Sequence, residues 1–437
     1  MSDSPLLKLP NTFRTFYGSF LKLHPAQKQA IDPILNGRDL VLQAATGSGK
    51  TEAVLAPGLE RVIKSKRKFT IIYIVPTKAL AMDLKTRFES IITERLGLNF
   101  TVRTGDIKQT RKQGQDIMLT TPESLDVMLG SSNPDLKSFL FKVRIIIIDE
   151  VHSLINQYRG RHLVYLLTRL ERRTGRALQK IAMSATIADF DNIIDFFNFN
   201  INTKHIITNV KRNIIARLLH IKKEDADVPA LLNDLYHTWQ YRKILIFTNS
   251  RAACDRLFGI ITRTGIFKDV SELHYSNLKP KERNKAEKRF RKRSHALCIA
   301  TSTLELGIDI GDVDAVILYE PPCSVSAFLQ RIGRANRRDE KLNFWGLCCG
   351  ENSADQVVRF LALLELSNQG IIESHFKRSL PSVLNQQIIS CLYEKKRISL
   401  PSLQSLFPEQ HEILPIVFKS LEKKKWLKQT GQYGLFH

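Results

Sequence analysis

The sequence is poor in cysteine, in acidic side chains and in long apolar runs. Its six cysteines include no Cys-x-x-Cys pair and no neighbouring histidine pair, so we expect free thiols in a reducing cytoplasm and neither a zinc site nor an iron–sulfur cluster. No apolar run is long enough to span a bilayer, and residues 1–4 lack the charged and apolar regions of a signal peptide. These absences predict a cytoplasmic protein with no membrane partner.

The shortage of acidic residues leaves a large positive charge. The chain has 43 Asp and Glu against 66 Lys and Arg, which gives a formal net charge of +23. Such an excess favours a polyanionic partner, although a ribosomal or membrane-surface protein would also carry it. With 437 residues, of which 43% are hydrophobic, the chain is long enough for two or three packed domains.

A glycine-rich loop gives the first sign of chemistry. The run Ala44-Ala45-Thr46-Gly47-Ser48-Gly49-Lys50-Thr51 follows a strand-like stretch, 39–43, and opens a helix-like one, 52–63. Glycines let backbone N–H groups turn toward phosphates, and a helix N-terminus adds partial positive charge. We expect this loop to bind a nucleotide through Ala45, Thr46, Gly47, Ser48, Gly49, Lys50 and Thr51. Lys50 would reach the β- and γ-phosphates and Thr51 would ligate Mg²⁺, although Ala44 replaces the first glycine of the usual pattern.

A pair of acids after an apolar run suggests what the nucleotide is used for. Four isoleucines, 145–148, predict a strand buried on both faces, and Asp149-Glu150-Val151-His152 follows directly. Ligands bind at the carboxyl ends of strands in open α/β sheets. We therefore expect Asp149 to hold Mg²⁺ and Glu150 to act as the general base toward an attacking water.

Strand and helix signals alternate over most of the chain, which predicts parallel sheets. In the first half the predicted strands are 40–42, 70–75, 100–103, 116–119, 143–148 and 181–184, with a helix at 80–92 among the segments between them. The polar, basic segment 202–227 is interpreted as a linker with one β-like run, 214–221. Alternation then resumes with strands 243–247, 295–300 and 315–318 and helices 250–261 and 278–293, without a second phosphate loop.

The last part of the chain has a different, helical character. Apolar residues recur at helical spacing over 383–393, and Ser399 and Pro401 are typical of a cap and an early helical position. A third helix is predicted over 412–425 with Ile413, Ile416, Val417 and Leu421 facing inward, followed by a strand-turn wing over 429–434. Three helices and a wing indicate a winged-helix domain, and a generic helical cap on the second sheet domain is the alternative.

The order of these short motifs resembles that of superfamily 2 helicases of the DExH type. The matching runs are His24-Pro25-Ala26-Gln27 (Q motif), Pro76-Thr77-Lys78-Ala79-Leu80 (Ia), Thr120-Thr121-Pro122-Glu123-Ser124-Leu125 (Ib), Asp149-Glu150-Val151-His152 (II), Ser184-Ala185-Thr186 (III), Phe247-Thr248-Asn249-Ser250-Arg251 (IV), Ala300 to Ile310 (V) and Gln330-Arg331-Ile332-Gly333-Arg334-Ala335-Asn336-Arg337 (VI). Within the superfamily the chain is most similar to the Lhr (large helicase-related) type, on its motifs Ib, II and VI and on Arg159-Gly160-Arg161-His162-Leu163.

The resemblance implies a role for each matched residue. It implies that Gln27 reads adenine, that Gly307 and Asp309 of motif V contribute to the nucleotide site, and that Ser184 and Thr186 couple the two binding sites. Gln330 would contact the γ-phosphate and the attacking water, Arg334 and Arg337 would be arginine fingers, and Arg331 would tie motif VI to the first sheet domain. Nucleic acid would be contacted by Thr77, Lys78, Thr121, Pro122, Thr248, Ser250, Arg251 and Thr301.

Together these patterns predict an α/β protein with two tandem RecA-like domains, 1–207 and 208–372, and a winged-helix-like domain, 373–437. The expected function is that of a monomeric helicase or translocase that hydrolyses ATP with Mg²⁺. The resemblance to the Lhr type implies movement 3′→5′ along single-stranded or tailed duplex DNA, in DNA repair or processing. An RNA helicase, or a P-loop ATPase acting on a partner other than nucleic acid, are the alternatives.

Overall fold

The computed structural model describes twelve segments of the chain: residues 4–18, 22–45, 47–105, 107–108, 115–155, 157–208, 213–263, 265–305, 310–335, 341–373, 381–428 and 435–436. We call 4–208 the first lobe, 213–373 the second lobe and 381–436 the C-terminal region. Among the described residues, no helix combines the length and the apolar character needed to cross a membrane.

The first lobe is built on a sheet in which eight strands are described. The strands are β1 (Leu40–Ala44), β2 (Thr70–Ile74), β3 (Phe100–Thr104), β4 (Ile107–Lys108), β5 (Ile117–Thr120), β6 (Val143–Ile148), β7 (Gln179–Ser184) and β8 (Lys204–Thr208). Their order is β4-β3-β5-β2-β6-β7-β1-β8, and all neighbours are parallel except β3 and β4. The β1, β2 and β6 strands therefore present their carboxyl ends at one edge, where ligands bind in such sheets.

Helices cover both faces of this sheet. They are α1 (Pro5–Lys8), α2 (Phe13–Tyr17), α3 (Pro25–Leu35), α4 (Lys50–Lys64), α5 (Lys78–Ser90), α6 (Pro122–Leu129), α7 (Pro134–Phe141), α8 (His152–Ile155), α9 (Tyr158–Thr174) and α10 (Phe190–Phe196), with a π-helical turn, Ile91–Arg95, after α5. Ile145 and Ile147 belong to one buried cluster, whereas Ile146 and Ile148 belong to the cluster on the opposite face. The prediction of a strand buried on both faces is confirmed.

The second lobe repeats this construction with six described strands. The strands are β9 (Asn213–Ile221), β10 (Lys243–Thr248), β11 (Ser271–His274), β12 (Ala296–Ala300), β13 (Ala315–Tyr319) and β14 (Lys341–Cys349), and the helices are α11 (Glu224–His237), α12 (Arg251–Arg263), α13 (Pro280–Lys292), α14 (Val325–Ile332) and α15 (Ser353–Asn368). The strand order is β11-β12-β10-β13-β14-β9, and every pair is parallel. The predicted fold class, two parallel-sheet domains of RecA type, is confirmed.

The interpretation of 202–227 as a linker is wrong. Strand β8 pairs with β1 in the first sheet, and β9 pairs with β14 over nine residues in the second. The polar and basic composition misled the interpretation, because both are edge strands that are only partly covered: β8 buries Ile206 alone, and residues 214–219 of β9 are half-buried. What remains between the two strands, 209–212, lies outside the described residues.

The C-terminal region packs on the first lobe. It contains α16 (Pro381–Lys395), α17 (Leu400–Leu406), α18 (Leu414–Lys423) and a two-stranded antiparallel pair, β15 (Ile398–Ser399) with β16 (Leu435–Phe436). Ser399 caps α17 as predicted, by accepting a hydrogen bond from the Ser402 N–H. Ile416 was assigned inward wrongly: it is exposed, because Leu414, Val417, Phe418 and Leu421 form the buried face of α18. The predicted wing at 429–434 lies outside the described residues.

Candidate active site and nucleic-acid cleft

The phosphate loop joins β1 to α4 at the carboxyl edge of the first sheet. Gly47 and Gly49 have φ angles of 81° and 74°, a left-handed conformation that a side chain would strain. Lys50 is the first residue of α4, and its Nζ donates a hydrogen bond to the Ala44 carbonyl at 2.7 Å. The loop therefore already curls around the Lys50 ammonium, while Thr46 lies outside the described residues.

Gln27 lies against this loop. A Cβ placed on Gly49 would come within 2.3 Å of the Gln27 Nε2 atom, so a side chain there would displace Gln27. The Gln27 Oε1 atom accepts a hydrogen bond from the His24 N–H at 2.9 Å, as part of the N-terminal cap of α3. Gln27 therefore links the start of α3 to the phosphate loop, and its contact with adenine stays a prediction.

Asp149 is held by a tyrosine that the sequence analysis missed. The Tyr73 hydroxyl donates to Asp149 Oδ2 at 2.7 Å and is itself hydrogen-bonded by the Thr51 side chain. Burial and the neighbouring charge of Glu150 raise the pKa of Asp149. Burial lowers the pKa of Lys50, whereas the Glu150 and Asp149 charges raise it. The Lys50 ammonium thus attracts both carboxylates, whereas the two carboxylates repel each other in this buried site.

The oxygens around Thr51 and Asp149 suit Mg²⁺. In the described part of the chain no cluster of three or more His, Cys, Asp or Glu side chains could hold a metal ion. Mg²⁺ is usually bound by one or two protein oxygens together with nucleotide phosphates and water, and the Thr51 hydroxyl and the Asp149 carboxylate are oxygens of this kind. The Glu150 Oε2 atom is also buried and accepts no hydrogen bond from the described residues, so it can accept one from a water. Glu150 has a left-handed φ of 46°, an arrangement that costs energy and is typical of functional sites.

His152 connects motifs II, III and VI. Its Nδ1 lies 2.6 Å from Ser184 Oγ and 3.5 Å from Glu150 Oε2. Its Nε2 lies 2.6 Å from the Nε2 atom of Gln330, which belongs to α14 of the second lobe. The Ser184 hydroxyl in turn donates to the Thr186 carbonyl at 2.6 Å. A continuous polar path therefore runs from the acids of the first lobe to the second lobe.

Two arginines of motif VI, Arg334 and Arg331, have different surroundings. Arg334 is 2% exposed, its Nη2 donates to the Glu305 carbonyl at 2.7 Å, and its charge lowers the pKa of Lys50 across the cleft. Arg331 does not reach the first lobe, contrary to the prediction. It bonds Glu305 Oε1 at 2.7 Å and Asn249 Oδ1 at 2.9 Å, because it lies on the face of α14 that packs on its own sheet. Arg337, Gly307 and Asp309 lie outside the described residues.

The predicted nucleic-acid residues of the first lobe lie at two helix starts, and two of them, Lys78 and Thr121, line one cavity. Thr77 caps α5 by accepting the Leu80 N–H, and Thr121 caps α6 by accepting the Ser124 N–H. Lys78 and Pro122 are the first residues of those helices. A cavity of about 500 Å³ is lined by Pro76, Lys78, Arg103, Thr104, Gly105, Thr121, Glu123, Ser124, Val127 and Arg159. Two helix N-termini and several cations therefore face one space, which suits phosphate groups.

The second lobe has a matching cavity of about 570 Å³, to which Thr248 and Thr301 contribute. The Ser250 hydroxyl accepts the Ala253 N–H at the start of α12, and Arg251 donates to Ser276 Oγ at 3.3 Å. Ser250 and Arg251 are exposed, although neither lines the cavity itself. The structure thus brings Thr248 and Thr301 together and places Ser250 and Arg251 beside them.

Two cations of the first cleft were missed as site residues. Arg103 is the last residue but one of β3, beside the strand that leads into motif Ib, so its place follows from the strand order and not from local sequence. Arg159 pairs with Glu123 at 2.6 Å and donates to the Pro76 carbonyl, which joins motifs Ia and Ib. Only the folded chain shows that these two side chains lie beside motifs Ia and Ib.

Two protein families match the chain. Residues 24–193 match the DEAD/DEAH box helicase family, and residues 227–339 match the helicase conserved C-terminal domain. The first match spans the phosphate loop and motif II, and the second spans motifs IV to VI.

Individual helicases also resemble this chain in sequence or in structure. The ATP-dependent helicase Lhr-Core of Methanocaldococcus jannaschii is 30% identical over 414 residues, which cover 88% of this chain and 48% of that protein. The structure of Mycobacterium smegmatis helicase Lhr bound to ssDNA and AMP-PNP is 27% identical with a TM-score of 0.79, and the match covers 92% of this chain and 55% of that one. The DEAD-box helicase Mss116 is 19% identical with a TM-score of 0.70, and the match covers 91% of this chain and 87% of that one. At this identity the likeness shows the fold alone. The chain spans about half the length of the Lhr-type relatives it matches.

Proposed function

The chain is a superfamily 2 helicase of the Lhr type, and we propose that it hydrolyses ATP in the cleft between its lobes to move along single-stranded DNA. The bound single-stranded DNA is reported for the Mycobacterium smegmatis relative, and its extension to this chain is part of the proposal. We propose the domain boundaries 1–207, 208–372 and 373–437, a monomer, 3′→5′ movement and a role in DNA repair or processing in the cytoplasm, where ATP and DNA meet.

The first lobe would hold the nucleotide. Lys50 and the loop amides would bind the phosphates, and Glu150, whose buried Oε2 accepts no hydrogen bond from the described residues, would orient the attacking water and take its proton. Thr51 and Asp149 would hold Mg²⁺, which when bound neutralises charge on the β- and γ-phosphates. Tyr73 keeps the Asp149 carboxylate in place by donating to Oδ2.

The observation that carries the proposal is that Arg334 of the second lobe lies close enough to Lys50 of the first for their charges to interact. Two like charges in a buried site repel each other, and the charge of Arg334 lowers the pKa of Lys50. A γ-phosphate between them would turn that repulsion into two attractions. Bound ATP therefore favours closure of the lobes, and its hydrolysis weakens that closure. The Gln330–His152 contact passes this change to motifs II and III.

Movement would follow from the two cavities at the top of the sheets. Each presents hydroxyls and helix N-termini, which bind phosphates without reading bases. Closing and opening the lobes would change the distance between the two cavities, so the strand would be passed from one cavity to the other. The same chemistry would fit RNA, because its phosphates are the same.

The test compares ATPase rates without nucleic acid and with single-stranded DNA, single-stranded RNA, and duplexes carrying a 3′ or a 5′ tail. We expect the largest stimulation by single-stranded DNA, strand displacement only from the 3′-tailed duplex, and no hydrolysis by Lys50→Ala. Larger stimulation by RNA would replace DNA by RNA as the substrate. Equal rates with and without nucleic acid would refute the motor.

A further inference from the structure

Two large apolar side chains are exposed where the C-terminal region meets the first lobe. Tyr393, in the last turn of α16, is 71% exposed, and Val127, near the end of α6, is 68% exposed. A Cβ placed on Gly130 would lie 3.8 Å from Cδ1 of Tyr393, so the ring lies against the end of α6. Exposed apolar residues are common one at a time, but here two lie together at a junction.

This junction continues the cleft of the first lobe. Val127 lines the same cavity as Lys78 and Thr121. Along α6, Thr121 and Gly130 are roughly 13 Å apart at the helical rise per residue. A strand whose phosphates lie at Thr121 therefore has Val127 and Tyr393 next in its path on one side.

The junction is also basic. Lys395, Lys396 and Arg397 directly follow Tyr393 and its neighbour Glu394, and all three are exposed. Lys396 Nζ lies 4.9 Å from the centroid of the Tyr393 ring. No ion pair joins any of the three to a carboxylate within the part of the chain that the structure describes. Glu394 is instead turned toward Arg169 and Arg173 of the first lobe.

A buried network fixes α16 against α6 and so fixes the ring. Asp126 of α6 accepts hydrogen bonds from Ser390 Oγ at 2.7 Å and from Gln387 Nε2 at 2.8 Å. Arg169 of α9 donates to Asp126 Oδ1 at 2.8 Å and to Gln387 Oε1 at 2.9 Å. Because the helix that carries Tyr393 is held by these contacts, little freedom remains to be lost when a ligand packs on the ring.

We propose that the Tyr393 surface, formed by Val127, Tyr393, Lys395, Lys396 and Arg397, binds the next stretch of the single strand held in the first-lobe cleft. A base would stack on the Tyr393 ring, Val127 would pack against its edge, and the three cations would pair with the neighbouring phosphates. Aromatic rings beside cations are how proteins bind single strands without sequence preference. This inference rests on the proposed function.

The test measures the affinity of the full chain for single-stranded DNA of increasing length, by fluorescence anisotropy at fixed salt. Tyr393→Ala should weaken binding by about five- to a hundredfold for strands long enough to reach the surface, and leave the shortest bound strands unaffected. Tyr393→Phe keeps the ring and should bind like the unchanged protein. Changing Lys395, Lys396 and Arg397 together to alanine should reduce the salt dependence of binding for the long strands.

Trp426→Ala provides a matched control. Trp426 is also exposed, at 60%, and also has a lysine over its ring, Lys424 at 5.3 Å, but it follows α18 and is not part of the surface. We expect it to leave the length dependence unchanged.

Three results would overturn the inference. Tyr393→Ala could bind strands of every length as tightly as the unchanged protein, it could bind strands of every length more weakly by the same factor, or Tyr393→Phe could lose as much affinity as Tyr393→Ala. The first would assign the surface to something other than the strand, such as a protein partner. Failure of the proposed function would look different, because the unchanged protein itself would then bind no single strand. Urea unfolding of each variant identifies any loss that comes from folding.

Discussion

Gln330 of the second lobe and His152 of the first lobe meet with 2.6 Å between their Nε2 atoms. The same imidazole lies 2.6 Å from Ser184 through its other nitrogen. One side chain therefore lies beside Glu150 of motif II, Ser184 of motif III and the arginine-bearing helix α14. We expect the state of the nucleotide and the relative position of the lobes to be linked at this histidine.

This link should appear as energetic coupling between the two side chains. His152→Ala and Gln330→Ala should each lower the DNA-stimulated kcat, and the double variant should lose less than the sum of both. A coupling of about 1 kcal/mol is expected for one hydrogen bond. The measurement is a double-mutant cycle on kcat. Gln369→Ala is the control, because its side chain donates to Glu365 on the exposed surface of α15 and lines neither cavity, and it should be additive with His152→Ala. Additive losses for His152 and Gln330 would show that the contact has no role in turnover.

Tyr73 should matter for nucleotide binding although it is not part of any motif. Tyr73→Phe removes the hydroxyl that donates to Asp149 Oδ2. Because a hydrogen bond to a charged group is worth about 1.5–3 kcal/mol, affinity for the Mg²⁺ nucleotide should fall by about tenfold or more. Titration with a fluorescent ATP analogue measures it. Tyr165→Phe removes a buried hydroxyl at the C-terminal interface and should leave the affinity unchanged. If both variants bind equally well, Tyr73 does not position Asp149.

The interface between α6 and the C-terminal region should depend on pH through Asp126. Burial alone would raise the pKa of Asp126, but hydrogen bonds from His162 and Ser390 and the charge of Arg169 lower it to about 2. An unfolded Asp has a pKa of about 3.9, so the folded state binds fewer protons between these values. The ionised group therefore stabilises the fold by about 2.5 kcal/mol above pH 4, and this contribution is lost as the pH falls through 2.

Asp126→Asn tests this dependence. The variant should lower the free energy of unfolding at pH 7, and about half of the difference from the unchanged protein should have disappeared at pH 3. Urea unfolding at the two pH values provides both numbers. A difference that is the same at pH 3 and pH 7 would mean that the Asp126 charge does not hold the interface.

Features that depend only on residue type and on the spacing of nearby residues could be predicted from the sequence. The phosphate loop, the four isoleucines 145–148 and the Ser399 cap follow from residue type and spacing alone, and the structure has each of them. The predictions that failed depended on partners distant in the chain. The strands β8 and β9 are set by pairing with β1 and β14, and Arg331 is set by Glu305 and Asn249.

The same limit applies to the candidate site. Tyr73 stands in the middle of a uniformly apolar strand, so its sequence context indicates only core, and its role appears only when Asp149 is placed beside it. Ile416 was assigned inward because helical spacing alone does not determine which face of a helix is buried. In the structure, the buried face of α18 includes Leu414 and Phe418 instead. Tyr393 is similar, because the periodicity of α16 does not show what lies next to its exposed face.

The most direct test of the account concerns Arg334. Hydrolysis should require this guanidinium of the second lobe to lie opposite a nucleotide that is bound by Lys50 of the first lobe. The measurement is single-turnover ATP hydrolysis by Arg334→Ala with saturating single-stranded DNA, alongside the affinity for a non-hydrolysable ATP analogue. We predict that the rate falls at least about a thousandfold while the affinity changes by less than about tenfold. A rate within about tenfold of the unchanged protein would contradict the account.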